Sequence, residues 1–208
     1  MRGNSALLET TEASNWCRQL RRIPAGRPAL FLDRDGVIIE DTGYVSDFAE
    51  IALLPGASDA IRRMNRAGWP VVVVSNQSGL GRGYFDFATL KAVQSCVEAR
   101  LTLAGARIDA ALICGAPPWD CGPPARWRKP SPGMFLAARE FFGINLPGSV
   151  MVGDRATDMM AAQRAGVNRR ILLTEPDGCR LGAATDIARD LLAAVRLIAG
   201  QGPASALD

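Results

Sequence analysis

Two carboxylates, one residue apart, follow the first strongly apolar run of the chain. The segment FLDRDGV, at 31 to 37, places Asp33 and Asp35 directly after apolar residues. Alternate side chains of an extended backbone point to the same side, so both carboxylates can reach one pocket, and Gly36 lets the chain turn sharply away. One carboxylate can attack phosphorus while a second carboxyl group protonates the departing oxygen and later deprotonates water. The pair predicts a phosphatase site with Asp33 as nucleophile and Asp35 as general acid and base.

A cation must accompany these groups, because a phosphate ester and two carboxylates repel one another. Asp154 lies in MVGDRATD, at 151 to 158, and would complete an oxygen-only Mg²⁺ site with Asp33 and the backbone carbonyl of Asp35. Asp158 is close enough in sequence to support that site. Oxygen ligands favour magnesium over zinc.

Two further segments can bind the phosphoryl oxygens. Lys129, in RKPSPGM at 128 to 134, offers a point charge, and Ser75, in VVVVSNQSG at 71 to 79, offers hydrogen bonds together with the amides that follow it. We therefore predict that Ser75 and Lys129 complete the catalytic set of Asp33 and Asp35.

Each of these segments also has an ordinary structural interpretation. A lone DxDG is typical of a strand end followed by a turn, GDxxxD of a helix start, SNQSG of a polar turn and RKP of a solvated basic corner. Three of the four, however, follow a predicted strand, which is where open α/β sheets bind ligands. Their occurrence together and in this order favours the catalytic interpretation.

The four segments resemble the motifs of the haloacid dehalogenase superfamily of aspartyl-phosphate phosphatases, in the same order. The resemblance is closest to the branch that contains heptose-bisphosphate phosphatases and histidinol-phosphatase domains, and it runs from about residue 28 to about residue 173. The segments that carry it are LDRDGVI, DTGYV (41 to 45), LPGASDAI (54 to 61), SNQSGLGRGYF (75 to 85), RKPSPGM and VGDRATDM.

The resemblance implies a set of site residues. It implies Mg²⁺ bound by Asp33, Asp35 and Asp154. It implies substrate contacts from Asp41, Thr42, Gly43, Tyr44, Ser75, Asn76, Gln77, Ser78, Arg128, Lys129 and Arg155.

The sequence departs from this branch in one loop. Relatives of this type usually carry a zinc loop of pattern Cys-x-His, then Cys-x-Cys before Arg-Lys-Pro, and the corresponding positions here are Cys114, Ala116, Ala125 and Trp127. The chain contains no histidine, and Cys121 could add only a second ligand, whereas a structural zinc site needs four. We expect no zinc. Prolines and tryptophans could order the loop by packing instead, and a merely exposed loop is the alternative.

Apolar runs alternate with helical patterns along the chain, which indicates an α/β fold. Strands this apolar are buried on both faces, so we predict a Rossmann-like parallel sheet with helices on both faces, of the haloacid dehalogenase type. The intervals between motifs are too short for a cap domain, so the site should be open and walled by loops 37–50, 79–86 and 115–128. The predicted strands are 29–32, 71–74, 108–113, 149–152 and 170–173, and the predicted helices are 57–67, 86–104, 132–142, 157–165 and 183–198.

Composition is consistent with one compact phosphatase domain, which we place at residues 28–208. The 208 residues are 48% hydrophobic and 22% charged, enough for a full core. No run is long enough to span a membrane, the first residues lack the apolar segment of a secretory signal, and five scattered cysteines fit reduced thiols. We expect a cytoplasmic protein that is a monomer or weak oligomer.

Residues 1–27 are interpreted as an N-terminal extension. Its arginines cluster before the first predicted strand, and a solvated helix face or a loose arm is the favoured interpretation because the net charge is only +3. No nucleic-acid partner is expected.

Three functions are compatible with these residues. The favoured one is a phosphatase of a small sugar phosphate, of the heptose 1,7-bisphosphate kind and cleaved at the 7-phosphate, with histidinol phosphate as an alternative substrate. The second is a phosphatase of nucleic-acid 3′ ends, which would require a more basic and aromatic groove. The third is a non-catalytic module that binds phosphate, and the four intact motifs argue against it.

Overall fold

A computed structural model describes residues 7–43, 51–174 and 182–200. Eight strands form one sheet in the order β1-β2-β5-β4-β3-β6-β7-β8. The strands are β1 Glu9–Glu12, β2 Asn15–Gln19, β3 Leu30–Leu32, β4 Val71–Asn76, β5 Ala110–Cys114, β6 Val150–Gly153, β7 Arg169–Leu173 and β8 Asp186–Ala188. The helices are α1 Ala57–Arg66, α2 Phe87–Leu103, α3 Gly133–Phe142, α4 Ala156–Arg164 and α5 Leu191–Ala199.

Both faces of the sheet are covered, as the apolar strands predict. Alternate residues of β3 point to opposite faces: Leu30 and Leu32 pack in one core cluster, with residues of α1, α2 and α5, while Phe31 packs in the other, with residues of α3 and α4. Phe31 lies 4.9 Å from Phe135 of α3, measured between ring centroids. Among the described residues, no helix is both long and apolar enough to cross a membrane.

The six strands from β3 to β8 run parallel, as predicted, with β3 between β4 and β6. The chain fills one side of β3 with β4 and β5, and then returns to fill the other side with β6. This reversal of strand order beside β3 is where sheets of this class form a crevice at the carboxyl ends of the strands.

The N-terminal region differs from the expected helix face or loose arm, which is wrong for residues 9–19. Here β1 and β2 form an antiparallel hairpin, and β2 pairs antiparallel with β5. Trp16 and Cys17 are completely buried, so the hairpin adds both hydrogen bonds and apolar contacts to the sheet. The parallel sheet therefore carries an antiparallel addition at one edge.

The helix predicted over 183–198 is also wrong in its first half. Residues 186–188 form β8, which pairs with β7, and the helix begins only after Asp190, whose carboxylate accepts a hydrogen bond of 2.6 Å from the Ala193 amide. This N-cap contact sets the start of α5.

Candidate active site

The predicted motifs meet at the carboxyl ends of β3, β4 and β6. Asp33 follows β3, Ser75 and Asn76 end β4, and Asp154 follows β6. A cavity of about 510 Å³ opens there. Its lining comprises Asp33, Asp35, Asp41, Gly43, Ser75, Asn76, Gln77, Ser78, Arg128, Lys129, Arg155, Ala156, Thr157 and Asp158.

Most of the predicted site residues are thus brought together. Thr42 and Asp154 are described but do not line the cavity, although a carboxylate oxygen of Asp154 lies within 4.8 Å of those of Asp33 and Asp158. Tyr44 lies outside the described residues. Ala156 and Thr157 line the cavity without having been predicted, although both belong to the VGDRATD segment. Of the three loops expected to wall the site, residues 44–50 of the first lie outside the described residues.

Lys129 is the centre of the site's electrostatics. Its ammonium group lies 3.0 Å from Asp33 Oδ2 and 2.6 Å from Asp158 Oδ1, and donates a hydrogen bond of 2.8 Å to the Val74 carbonyl. The two carboxylate contacts are ion pairs, and the contact to the carbonyl is a hydrogen bond. Lys129 is 2% exposed and Asp158 is fully buried, so this is an ion cluster shielded from water.

The backbone of Lys129 is fixed by Asn76. The Asn76 side chain donates to the Lys129 carbonyl and accepts from the Lys129 amide, each at 3.0 Å. This amide pair links the end of β4 to the loop before α3. Asn76 was predicted to contact substrate, but these two contacts give it a positioning role for Lys129.

Asp158 reaches the cluster from the first turn of α4. Its Oδ2 accepts a hydrogen bond of 3.0 Å from the Arg155 amide, which caps the helix. A Cβ on Gly153 would lie 2.5 Å from Asp158 Oδ2, so only glycine leaves room for this carboxylate. Both Asp158 oxygens are thereby engaged by protein groups.

Asp33 and Asp154 are crowded by negative charge. Burial raises the pKa of the Asp33 carboxyl above its usual range, with further upward contributions from Asp158 and Asp35 and an opposing one from Lys129. Burial and Asp158 also raise the pKa of Asp154, while Arg155 opposes them. Burial alone would lower the pKa of Lys129, but Asp158 and Asp33 raise it.

This crowding fits a bound cation. Carboxylate oxygens of Asp33, Asp154 and Asp158 all lie within 4.8 Å of one another, and Asp154 Oδ1 is buried with no hydrogen-bond partner among the described residues. A buried, unpartnered carboxylate oxygen is costly unless a ligand satisfies it. Gly36, with φ of 75°, has no Cβ to collide with the Asp154 carboxylate. The residues present therefore fit Mg²⁺, which prefers oxygen ligands.

Asp35 is held by Arg34 and Gln77, outside the ion cluster of Lys129. Arg34 donates from Nε and Nη2 to its two carboxylate oxygens at 3.0 and 3.1 Å, and Gln77 donates to Oδ2 at 2.5 Å and to Ser75 Oγ at 2.9 Å. The two hydrogen bonds from Arg34 fix the plane of the Asp35 carboxylate. Arg34 is 2% exposed. Arg34 was not among the predicted site residues, although its place between the two aspartates was the available signal.

Arg155 and Arg128, both predicted to contact substrate, are tied to different elements. Arg155, with a side chain that is 64% exposed, pairs with Asp41 at 2.7 Å. Arg128 donates from Nη1 to the Ala116 carbonyl at 2.9 Å. Asp41 was predicted to contact substrate, which stays a prediction, and its pairing orients Arg155.

Two of the cysteines lie in or directly before the loop expected to lack zinc. Cys114 is buried, with Sγ 3.6 Å from the Pro124 carbonyl, and Cys121 is exposed, with Sγ 3.7 Å from the Trp119 carbonyl. The Arg82 guanidinium lies 4.9 Å from the ring centroid of Trp119, which is 65% exposed. The absence of zinc stays a prediction.

The chain is similar in sequence to known proteins. The HAD-hydrolase-like family model matches residues 126–178. D-glycero-beta-D-manno-heptose-1,7-bisphosphate 7-phosphatase of Mesorhizobium japonicum is 41% identical over 200 residues, which cover 90% of this chain and 92% of that protein.

Two solved structures extend this similarity to the fold. An HAD-like phosphatase from Mesorhizobium loti has a TM-score of 0.79 at 40% identity, covering 91% of this chain and 96% of that one. The D,D-heptose 1,7-bisphosphate phosphatase of B. bronchiseptica, complexed with magnesium and phosphate, has a TM-score of 0.72 at 33% identity, covering 84% of this chain and 99% of that one.

The carboxylate cluster predicts a metal-dependent stability. At about ten times its Kd, Mg²⁺ should stabilise the protein by about 1.4 kcal/mol and so raise Tm by roughly 3 to 6 °C. Asp154→Asn should lose this shift, while Asp59→Asn, at a surface ion pair with Arg62, should keep it. Differential scanning calorimetry measures both, and elemental analysis of the same preparations should find no stoichiometric zinc. An undiminished Mg²⁺ shift in Asp154→Asn would contradict the assignment.

Proposed function

The chain belongs to the haloacid dehalogenase-like hydrolases, in the family of the heptose-1,7-bisphosphate 7-phosphatases, and we propose that it removes the 7-phosphate from D-glycero-D-manno-heptose 1,7-bisphosphate in a Mg²⁺-dependent reaction. The observation that carries the proposal is the position of Asp33, within 3.0 Å of the Lys129 ammonium and beside the Asp154 and Asp158 carboxylates, in an open cavity at the strand ends. Two similar proteins, from Mesorhizobium japonicum and B. bronchiseptica, are named as phosphatases of a heptose 1,7-bisphosphate.

Asp33 is the proposed nucleophile. Each carboxylate oxygen has two lone pairs, and the contacts to the Arg34 amide at 2.7 Å and to Lys129 at 3.0 Å orient the group while leaving lone pairs for attack. Attack forms a bond from an Asp33 oxygen to phosphorus and breaks the bond from phosphorus to the sugar oxygen. The product is an aspartyl phosphate and a sugar alkoxide that needs a proton.

Asp35 is the proposed proton carrier for both halves of the reaction. In its acid form it delivers a proton to the departing sugar oxygen, and as a carboxylate it then accepts one from the water that attacks the aspartyl phosphate. That second attack breaks the bond between Asp33 and phosphorus and releases inorganic phosphate. Arg34 and Gln77 keep Asp35 aimed throughout.

Positive charge comes from two sources. Lys129 supplies a buried cation that cannot leave the site, because its three contacts hold it. Asp33, Asp154 and the Asp35 carbonyl would hold Mg²⁺, which would supply charge neutralisation for the phosphoryl oxygens. Ser75, 1% exposed and lining the cavity, offers a hydroxyl to the same oxygens.

The proposal of a bisphosphate substrate rests on two arginines that line the cavity. Arg128 and Arg155 both line the cavity that contains Asp33 and Lys129. Guanidinium groups bind phosphate through two parallel hydrogen bonds, so these residues suit a second phosphate while the first occupies the Asp33 and Lys129 site. The cavity of about 510 Å³ can accommodate a seven-carbon sugar.

The expected setting of this reaction is the cytoplasm, with a free small molecule as substrate and a monomer or weak oligomer as the active species. Cys17 and Cys114 are buried thiols, and burial raises their pKa to about 12 and about 11. Thiols with such pKa values are unreactive, which suits a reduced protein.

The nucleophile and proton carrier can be tested by isosteric substitution. Asp33→Asn should lower kcat by about 10³-fold or more, while the fold persists because Lys129 retains Asp158 and the Val74 carbonyl as partners. Asp35→Asn should lower kcat by roughly 10² to 10⁴-fold. Phosphate release from the heptose bisphosphate, in preparations shown by mass spectrometry to be free of deamidation, measures both. Turnover of Asp33→Asn within tenfold of the unmodified enzyme would remove the assignment.

The second phosphate site can be tested at Arg128. Arg128→Ala should reduce kcat/KM for the heptose bisphosphate by roughly 10- to 100-fold, as expected for a lost hydrogen bond to a charged group. The loss on the 7-monophosphate should stay within about threefold. Arg126→Ala, an exposed arginine of the same segment, is the matched control and should change neither. Equal losses on both substrates, or a native preference for histidinol phosphate in the same assay, would overturn the choice of substrate.

A further inference from the structure

The rim loop, residues 115–127, leads from β5 to Arg128 and contains one short 3₁₀ helix, Pro123–Trp127. Its first residue is clamped between the N-terminal hairpin and the loop after β4. The Gly115 amide donates to the Ser14 carbonyl at 2.8 Å, and the Gly115 carbonyl accepts from the Gly81 amide at 3.0 Å. A Cβ at Gly115 would lie 2.6 Å from the Ser14 backbone oxygen, so the two backbone segments approach too closely for a larger residue.

The far end of the rim loop is held from the same hairpin. Asn15, at the start of β2, donates from Nδ2 to the Pro124 carbonyl at 3.2 Å. Asn15 is 7% exposed, so water does not readily replace it as the donor. The other contact to this carbonyl among the described residues comes from Cys114 Sγ at 3.6 Å, and a thiol is a weak donor.

Arg128 depends on both ends of the rim loop. It directly follows the 3₁₀ helix, and its amide donates to the Ala125 carbonyl at 3.0 Å. Its guanidinium reaches back across the loop to the Ala116 carbonyl, next to the clamped Gly115, at 2.9 Å. The positions of the Arg128 backbone and side chain thus depend on the two ends of the rim loop, which Ser14 and Asn15 hold by hydrogen bonds.

We infer that β2 is part of the substrate-recognition apparatus, with Asn15 as a positioning residue that holds the rim loop so that Arg128 can bind the second phosphate. The hydrogen bond from Asn15 joins the N-terminal hairpin to a loop more than a hundred residues away in sequence. The inference deepens the proposed function and rests on it for the identity of the ligand that Arg128 binds. It assigns a role in specificity to a segment that contributes no residue to the cavity lining.

Kinetics on two substrates test this role. Asn15→Ala should reduce kcat/KM about tenfold for the heptose bisphosphate, mainly through KM, and by no more than about twofold for the 7-monophosphate. In an Arg128→Ala background, Asn15→Ala should have almost no further effect. Gln19→Ala removes the contact of another β2 amide side chain, to the Leu8 amide, without touching the rim loop. This matched control should leave both substrates unchanged.

Hydrogen exchange of the whole protein tests the same inference without a substrate. Asn15→Ala should speed amide exchange in peptides covering 115–128 at least threefold, with β4 and β6 unchanged, while Gln19→Ala should not. If Asn15→Ala does not fold, Asn15→Ser takes its place, since its side chain is too short to reach Pro124.

The results of these experiments distinguish the positioning role of Asn15 from the proposed function. Unchanged exchange over 115–128, equal kinetic losses on both substrates, or losses that add to those of Arg128→Ala would overturn the positioning role. If the unmodified enzyme leaves the heptose bisphosphate intact, the proposed function fails, and the exchange of residues 115–128 still decides whether Asn15 holds the rim loop.

Discussion

The site depends on one buried ammonium group. Lys129 faces two carboxylates and a carbonyl at 2.6 to 3.0 Å, from three different parts of the chain. Carboxylates as buried as Asp33 and Asp158 are tolerated in a core only when they are paired. The same charge that makes their burial possible lies beside the proposed nucleophile, so the electrostatic condition for folding and the one for binding a phosphoryl group are met by a single residue.

The elements around Lys129 serve to keep it there. Asn76, at the end of β4, pairs with its peptide group, and Gly153 leaves space for Asp158 to approach from α4. These contacts converge because β3 lies between β4 and β6, so the loops after these strands open on one crevice. A small change in any of these contacts would move Lys129 and so alter the surroundings of Asp33, although none of the contacting residues is a reacting group.

The sequence allowed the parallel sheet and the clustering of motifs to be predicted, because each strand is a local apolar run and each motif follows one. It did not reveal β2, since the five residues NWCRQ mix apolar and polar types, and their pairing depends on the free edge of β5 far along the chain. The partners of Asn76 and Arg128 were missed for a similar reason. A side chain that hydrogen-bonds to a distant backbone carbonyl or amide leaves no periodic signal, whereas Arg34 could have been noticed between the two aspartates.

The most direct test of the central claim is the free energy of unfolding of Lys129→Met, Asp158→Asn and the double variant, measured in urea at neutral pH without Mg²⁺. Removing the ammonium alone leaves buried carboxylates uncompensated and should cost about 3 to 5 kcal/mol. The double variant should then be more stable than Lys129→Met, because one of those charges is gone, although Asp158→Asn alone destabilises the protein. A loss below about 1 kcal/mol for Lys129→Met, or a double variant less stable than Lys129→Met, would contradict the account.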